Sequence, residues 1–337
     1  MVFGYGYQSN TNIEVLRGDD QRNVQFPSMP NQQKEYEEGE KYFDMMVTIH
    51  DGSLLYFLHK DDKDGTKPSK CYKLVQGNWE IHSILNEDRD CSSIVGTKNA
   101  TYVFGGEGMR GSHNTFEYLP RGATKWIVGE NEIPGKRFLE GCAIATKNGE
   151  DILLIAGDEI HSKRILSFNT KTHVFKELST KLILDMCTWN QCMFIPGTNK
   201  IMIVGIEQEK CRKCRRTPGV RYSNTLILDL NDWSMTIASP MNIKRDAPGI
   251  GIITIDDQDR LAAIGGTTRR DNETCYFMNI ELFNSSTGKW EISHIFPQKP
   301  LDLSSSQFFS VRQSDLSGLG LWLKWLKFKS VEINRRF

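Results

Sequence analysis

The chain has 337 residues, of which 39% are hydrophobic and 25% are charged. This length and composition suit one large or two ordinary globular domains, and they exclude a small disulfide scaffold and a disordered tail. The 42 basic and 42 acidic side chains cancel, so no global field attracts nucleic acid or an anionic membrane, and we expect neither as a partner.

The beginning of the chain lacks the basic start and apolar run of an export signal, and no window approaches the length of a membrane span. We therefore expect a cytoplasmic protein, or an extracellular one if a signal is missing from this sequence. The eight cysteines are Cys71, Cys91, Cys142, Cys187, Cys192, Cys211, Cys214 and Cys275. Most of them lie in apolar stretches, where cysteine serves as a small buried hydrophobe. Reduced thiols are the favoured prediction, and disulfides are the alternative.

The central part of the chain repeats with a period of roughly fifty residues. Four apolar runs end in small residues, at 100–106, 151–157, 200–205 and 260–266, and the glycines of these stops are Gly105, Gly106, Gly157, Gly205, Gly265 and Gly266. Each run precedes a short strand, a polar turn and an aromatic residue, which is Trp126, Phe175, Trp233 or Trp290, and the same strand, turn and aromatic occur once earlier, at Trp79. Another strand precedes each run, so each unit is predicted to be a four-stranded antiparallel sheet. Sheets of this size bury both faces by packing radially, which predicts a β-propeller.

These units resemble the kelch repeat, in which a hydrophobic strand ends in two glycines and is followed by aromatics on the next two strands. Gly105 and Gly106 with Trp126, and Gly265 and Gly266 with Trp290, match this pattern well. The resemblance covers residues 45–295 and implies glycine corners where blades approach and aromatics that pack between blades. It also implies a propeller without the N-terminal dimerisation and cullin-binding module that many kelch proteins carry.

The two ends of the chain are predicted to share one blade. Residues 1–35 read as the second half of a blade, and 303–328 contribute its remaining strand or strands. The predicted architecture is therefore all-β, with six four-stranded blades in one domain over 1–315 and an atypical tail over 316–337. The other five blades are expected at about 40–90, 91–138, 139–185, 186–247 and 248–302.

Enzymatic propellers are the main alternative class. A galactose-oxidase-like copper site needs converging tyrosines and histidines, but the seven histidines are dispersed. A sialidase-like reading rests on Ser286–Trp290, which is better explained as a hairpin turn. No catalytic residue, cofactor or metal is predicted. Cys211 and Cys214 have the spacing of half a zinc site, and whether they bind metal stays open.

The loop between Gly205 and Asn224 carries six basic and two acidic side chains, a net charge of +4. In the predicted propeller it shares one face with the other second-to-third-strand loops and with the blade connections. Arginines there can pair with carboxylates or phosphates. The predicted partner contacts are Arg110, His113, Arg212, Arg215, Arg216, Arg245, Arg269 and Arg270.

These observations favour a monomeric, non-enzymatic propeller that binds an acidic or phosphorylated protein or peptide, with an adaptor-like role. A solvated loop without a partner is the plain alternative. The other functional class is a secreted propeller that binds carbohydrate or acts as an enzyme, which would have oxidised cysteines and glycans at Asn99 and Asn272.

Overall fold

The computed structural model describes thirteen stretches of the chain. They are residues 42–50, 53–60, 69–75, 78–89, 92–108, 111–135, 141–156, 163–207, 224–245, 248–255, 258–270, 273–276 and 279–293. This part of the chain contains strands and turns and no helix, hence none with the length and apolar character of a membrane span.

The described strands form five four-stranded antiparallel sheets, which we call blades 1 to 5. Blade 1 consists of β1 (Tyr42–His50), β2 (Ser53–Lys60), β3 (Lys70–Val75) and β4 (Asn78–Ile84). Blade 2 consists of β5 (Ser93–Gly96), β6 (Ala100–Phe104), β9 (Phe116–Pro120) and β10 (Ile127–Val128), and between β6 and β9 lies a small hairpin of β7 (Glu107–Gly108) and β8 (Gly111–Ser112).

The remaining blades follow the same strand order. Blade 3 consists of β11 (Cys142–Ala145), β12 (Asp151–Ile155), β13 (Ile165–Asn169) and β14 (Phe175–Glu177). Blade 4 consists of β15 (Asp185–Phe194), β16 (Lys200–Glu207), β17 (Asn224–Asp229) and β18 (Met235–Ala238). Blade 5 consists of β19 (Gly249–Ile255), β20 (Gln258–Ile264), β23 (Ile280–Asn284) and β24 (Lys289–Ile292), with a hairpin of β21 (Thr267–Arg270) and β22 (Glu273–Tyr276) between β20 and β23.

The first strands of successive blades lie next to one another. Contacts join β1 to β5, β5 to β11, β11 to β15 and β15 to β19, so these strands line a common axis and the fourth strands form the rim. This radial order is a β-propeller, as the sequence predicted.

The apolar core lies between the blades. Trp126, which follows the third strand of blade 2, packs edge-on against Phe57 of blade 1, with 5.5 Å between ring centroids. Its indole Nε1 donates a hydrogen bond of 2.9 Å to Ser83 Oγ in the same seam. Trp290 occupies the corresponding place between blades 4 and 5. Burial of each large side chain contributes about 1.5–3 kcal/mol, so the aromatic repeat stabilises the seams.

A left-handed backbone corner follows the second strand in three blades. Gly105 and Gly265 have φ of 65° and 64° there, a conformation in which a Cβ is strained. In blade 3 the corresponding residue is Ala156, with φ of 56°, and not Gly157 as the spacing predicted. Gly157 lies outside the described residues. Ala156 N donates to Arg164 O at 2.8 Å just as Gly105 N donates to Thr115 O at 3.0 Å, which establishes the correspondence.

Two features of blade 4 differ from the sequence prediction. Gly205 does not end its strand, because β16 continues to Glu207 with a register shift between Val204 and Ile206. Trp233 is not the inter-blade aromatic, because it lies in the turn before β18 and is exposed. Met235 packs against the core in its place.

Candidate protein-binding face

One end of the propeller gathers the blade connections and the second-to-third-strand loops. In an antiparallel sheet of this order, the second strand ends, and the third begins, at the edge where the chain enters from the preceding blade. The structure shows this directly in blade 2, where Arg89 of the entering connection reaches the carbonyls of Gly105 and Thr115 on the loop. We call this end the loop face.

An ion pair buried in blade 2 holds the base of its loop. Arg89 Nε lies 3.0 Å from Glu117 Oε1, and both side chains are fully buried. Arg89 Nη1 donates to Gly105 O at 2.6 Å. Glu117 Oε2 accepts hydrogen bonds from the backbone N–H and side-chain Nδ2 of Asn86, both at 2.8 Å. Because every charge is compensated at short range, the buried pair is stable despite its desolvation.

The same arrangement occurs in blade 5. Arg245 Nη2 lies 2.8 Å from Glu281 Oε1, again with both side chains fully buried. Arg245 Nη1 donates to Gly265 O at 2.8 Å, and Asn242 donates to Glu281 Oε2 through its backbone N–H at 2.7 Å and its Nδ2 at 2.9 Å. Burial lowers the pKa of the Arg245 guanidinium, and the charge of Glu281 opposes that shift.

Arg245 was predicted as a partner contact, and that prediction is wrong. Its side chain is fully buried and its charge is matched by Glu281, so it cannot reach a partner at the surface. Its role is to bind the glycine corner from which the β21–β22 hairpin starts. We call the two arrangements of Asn, Arg and Glu the clasps of blades 2 and 5.

The sequence reading missed the clasps although a signal was present. Asn86 and Arg89 recur as Asn242 and Arg245 at the same spacing, and Glu117 and Glu281 each occupy the second position of a third strand. The repeat was identified from its glycines and tryptophans, which are its most conspicuous residues. Aligning the polar positions of these two repeats would have shown that the asparagine, the arginine and the glutamate recur together in blades 2 and 5.

His113 lies on the loop face beside the blade 2 clasp. Its ring Nε2 is 2.8 Å from Asp88 O, and its Nδ1 is 3.4 Å from Glu87 Oε2. A Cβ on Gly108 would come within 2.7 Å of the imidazole, so the β7–β8 hairpin packs directly on this ring. His113 is half-buried. Both of its ring nitrogens have polar neighbours on the entering connection, so the side chain positions the hairpin.

Of the remaining predicted contacts, the structure describes the backbone of two. Arg269 and Arg270 end β21, where the backbone pairs them with Thr274 and Glu273. Arg110, Arg212, Arg215 and Arg216 lie outside the described residues. The loop that contains the last three leaves and re-enters blade 4 at paired positions, because Ile206 pairs with Asn224.

The three described cysteines lie in the interior. Cys71, Cys142 and Cys192 are free, buried thiols, and burial raises the pKa of Cys71 to about 12. The pKa of Cys142 is also raised, because its thiol is hydrogen-bonded to the thiol of Cys192 and is buried. Such thiols are poor nucleophiles. Among the described residues, no group of three or more His, Cys, Asp or Glu side chains could hold a metal ion. Cys211 and Cys214 lie outside them.

Comparison with known proteins supports the fold. The solved structure described as "Structure of YjhT" is similar over 76% of this chain and 85% of that chain, with a TM-score of 0.58 and 16% sequence identity. No protein-family model matches the chain. No curated protein matches it either. The chain is therefore placed in the class of β-propellers by its fold alone.

Proposed function

We propose that this protein is a non-enzymatic propeller that binds an acidic or phosphorylated protein segment on the loop face. The observation that carries the proposal is the pairing of the two blade 4 strands from which the basic loop starts and to which it returns. Its +4 sequence is inserted between two strands that pair with each other up to Ile206 and Asn224. The two ends of the loop therefore lie at the face where the blade connections also emerge, and we infer that its arginines are accessible to a partner there.

The chemistry of the partner follows from the arginines. A guanidinium binds a carboxylate or a phosphate with two parallel hydrogen bonds, which a lysine cannot do. Arg212, Arg215 and Arg216 of the basic loop would supply these contacts, and Arg110, His113, Arg269 and Arg270 would extend the surface to blades 2 and 5. A monomeric, adaptor-like role in the cytoplasm is consistent with the three free buried thiols.

We further infer that the propeller is of the kelch type and has six blades. The far face of blade 5 is buried at Ala262, Ile264 and Ile280, and these residues point away from the cluster shared with blade 4. On the far side of blade 1, Tyr72 and Trp79 are buried as well. A sheet built from both chain ends, inserted between blades 5 and 1, would cover both faces and close the ring.

Charge reversal in the basic loop tests the proposed function. Affinity purification with mass spectrometry would compare the wild type with the variant Arg212→Glu, Arg215→Glu, Arg216→Glu. We expect specific partners, with acidic or phosphorylated segments, to be lost from the variant. Treatment of the extract with phosphatase beforehand separates a phosphorylated partner from an acidic one.

A matched control carries the same change in charge at the other ends of the strands. Lys98, Lys125 and Lys289 are exposed in turns and strand ends of blades 2 and 5, and their replacement by glutamate should leave the partners bound. Circular dichroism of both variants checks folding. If partners survive reversal of the basic loop, or are lost equally in both variants, the basic loop is not the binding site.

A further inference from the structure

The turns between the third and fourth strands of blades 3, 4 and 5 share one backbone geometry. Each contains a residue with positive φ: His173 at 56°, Trp233 at 61° and Gly288 at 67°. An Asn or Asp side chain begins each turn and accepts backbone hydrogen bonds, for example Asp229 Oδ1 from Asn231 N at 2.9 Å. The same strained position is therefore filled by three very different residues.

Two of the three residues have an evident reason to be there. Gly288 adopts a positive φ without steric cost. His173 places its ring in an aromatic cluster, stacked on Phe168 at 5.6 Å and edge-on to Tyr118 at 4.6 Å. Packing thus compensates for the strain at His173.

Trp233 has neither reason. Its side chain is 37% exposed and belongs to none of the core clusters of the described residues. Its backbone O accepts a hydrogen bond of 3.1 Å from Thr180 Oγ1 on the connection that leaves blade 3. The turn is therefore fixed in place at the rim while the indole faces solvent. A strained, exposed aromatic held by a rigid turn is the kind of outlier that points to a binding role.

The carboxylate next to this indole lacks a counter-ion among the described residues. Asp232 is exposed, and hydrogen bonds from Ser234 lower its pKa, so it is ionised at neutral pH. Nearby carboxylates are paired: Asp229 with Lys200 at 3.2 Å, and Glu177 with Arg164 at 3.2 Å. Asp232 thus presents an exposed negative charge on the residue that directly precedes Trp233.

We propose that Trp233 and Asp232 form a docking site for a cationic side chain of a protein partner. A guanidinium or ammonium group on the indole face gains cation–π attraction, and the carboxylate adds a charge-assisted hydrogen bond. Ile183 is exposed and lies three residues after Thr180 on the adjoining connection, and we infer that it supplies apolar surface for the stem of that side chain. This site lies on the outer rim and does not depend on the basic loop.

Fluorine NMR of the full-length protein labelled with 5-fluorotryptophan tests the site. The label gives one signal for each of the seven tryptophans, and the Trp233 signal is identified by its loss in Trp233→Gly. The probe is acetyl-Gly-Arg-Gly-Arg-Gly-amide, and its control carries neutral citrulline in place of each arginine. We expect a saturable shift of the Trp233 signal with the arginine peptide and none with the citrulline peptide.

Variants then separate the parts of the proposal. Asp232→Asn keeps a side-chain acceptor for Ser234 but removes the charge, and should weaken binding of the arginine peptide at least about fivefold. Trp233→Gly should abolish binding and raise the melting temperature by about 2 °C, because it relieves the strained backbone. Reversal of the basic loop charges should change neither result.

Four outcomes would overturn the proposal. The first is a Trp233 signal that the arginine peptide does not shift, and the second is an equal response to the citrulline peptide, which would indicate apolar contact alone. Unchanged affinity of Asp232→Asn would remove the carboxylate from the site. A lower melting temperature for Trp233→Gly would show that the indole stabilises the fold, and the argument from uncompensated strain would fail.

Discussion

Arg89 and Arg245 show that the role of a charged residue depends on whether it is buried or exposed. Each guanidinium is fully buried and bonded to a buried glutamate and to a glycine-corner carbonyl. Taking these charges out of water costs several kcal/mol, which the paired carboxylate and the carbonyls offset. The clasp therefore stabilises the loop base only while all of its members are present.

Removing one member of a clasp should be strongly destabilising. For Arg89→Met we expect a loss of about 3–5 kcal/mol, because Glu117 would remain as a buried carboxylate without its counter-charge. Urea unfolding monitored by tryptophan fluorescence measures the change. Arg260→Met removes the exposed pair with Glu291 and should cost less than about 1 kcal/mol. Equal losses in the two variants would contradict a special role for the clasp.

The two inter-blade tryptophans differ in one hydrogen bond. Trp126 Nε1 donates to Ser83 Oγ, whereas Trp290 Nε1 is buried without an acceptor among the described residues. In the strand register, Ser83 lies opposite Cys71, the second residue of the third strand of blade 1. Ala238 lies opposite Thr225, the second residue of the third strand of blade 4, so Ser83 and Ala238 occupy equivalent positions. Ala238 packs against the core cluster that contains Trp290, so by position in the blade an alanine takes the place of the acceptor serine.

Ala238→Ser should supply that acceptor. We expect the variant to be more stable than the wild type by about 1 kcal/mol, the net contribution of one buried hydrogen bond. The reverse change, Ser83→Ala, should cost a similar amount because Trp126 loses its acceptor. Thermal unfolding of both variants provides the measurement. Destabilisation by Ala238→Ser would show that the two seams are not equivalent.

At the scale of elements, the hairpin between β13 and β14 couples a turn to the core. His173 contacts Phe168, Tyr118, Phe116 and Tyr102, which lie on blades 2 and 3. Burial among these rings lowers the pKa of His173, and the nearby Glu130 partly opposes the shift. The turn therefore links a titrating group to the seam between two blades.

This shift makes stability depend on pH in a defined direction. Because the folded pKa lies below the unfolded value of about 6.5, the unfolded chain binds the proton first and stability falls as pH drops below that value. His173→Phe keeps an aromatic ring without the titration. The stability advantage of the wild type over this variant should decrease between pH 7.5 and 5.5 in parallel thermal melts. A difference that is constant with pH would rule out the linkage.

For the whole molecule, the proposed closure of the ring by the chain ends predicts how much of the chain is needed to fold. The buried far faces of blades 1 and 5 require cover, and we attribute it to the chain ends. Deletion of residues 1–41 should therefore lower the melting temperature by more than 10 °C or prevent folding, since several large apolar side chains would become exposed. Deletion of only 330–337 is the control and should have little effect. A fragment of 42–293 that melts like the full chain would contradict closure by the ends.

Much of the fold could be predicted because its determinants are local and repeated. The strand runs of blades 2 and 5, the glycine corners at Gly105 and Gly265, and the packing of Trp126 and Trp290 all follow from short patterns of apolar, small and turn-forming residues. Ala156 shows the limit of this reasoning. Its strained φ follows from its place in the sheet, and the residue type alone gives no sign of it.

The candidate site was less predictable because charge says nothing about burial. The strands, their repetition and the basic loop follow from the sequence alone, because they depend on residue types within short segments, and the repetition in turn predicted the radial packing. The three-dimensional packing was needed to show that Arg245 lies inside against Glu281, 36 residues away, and that Trp233 lies outside. The physical reason is that register and blade packing choose which side of a strand or turn meets another blade, and both depend on residues far apart in the chain.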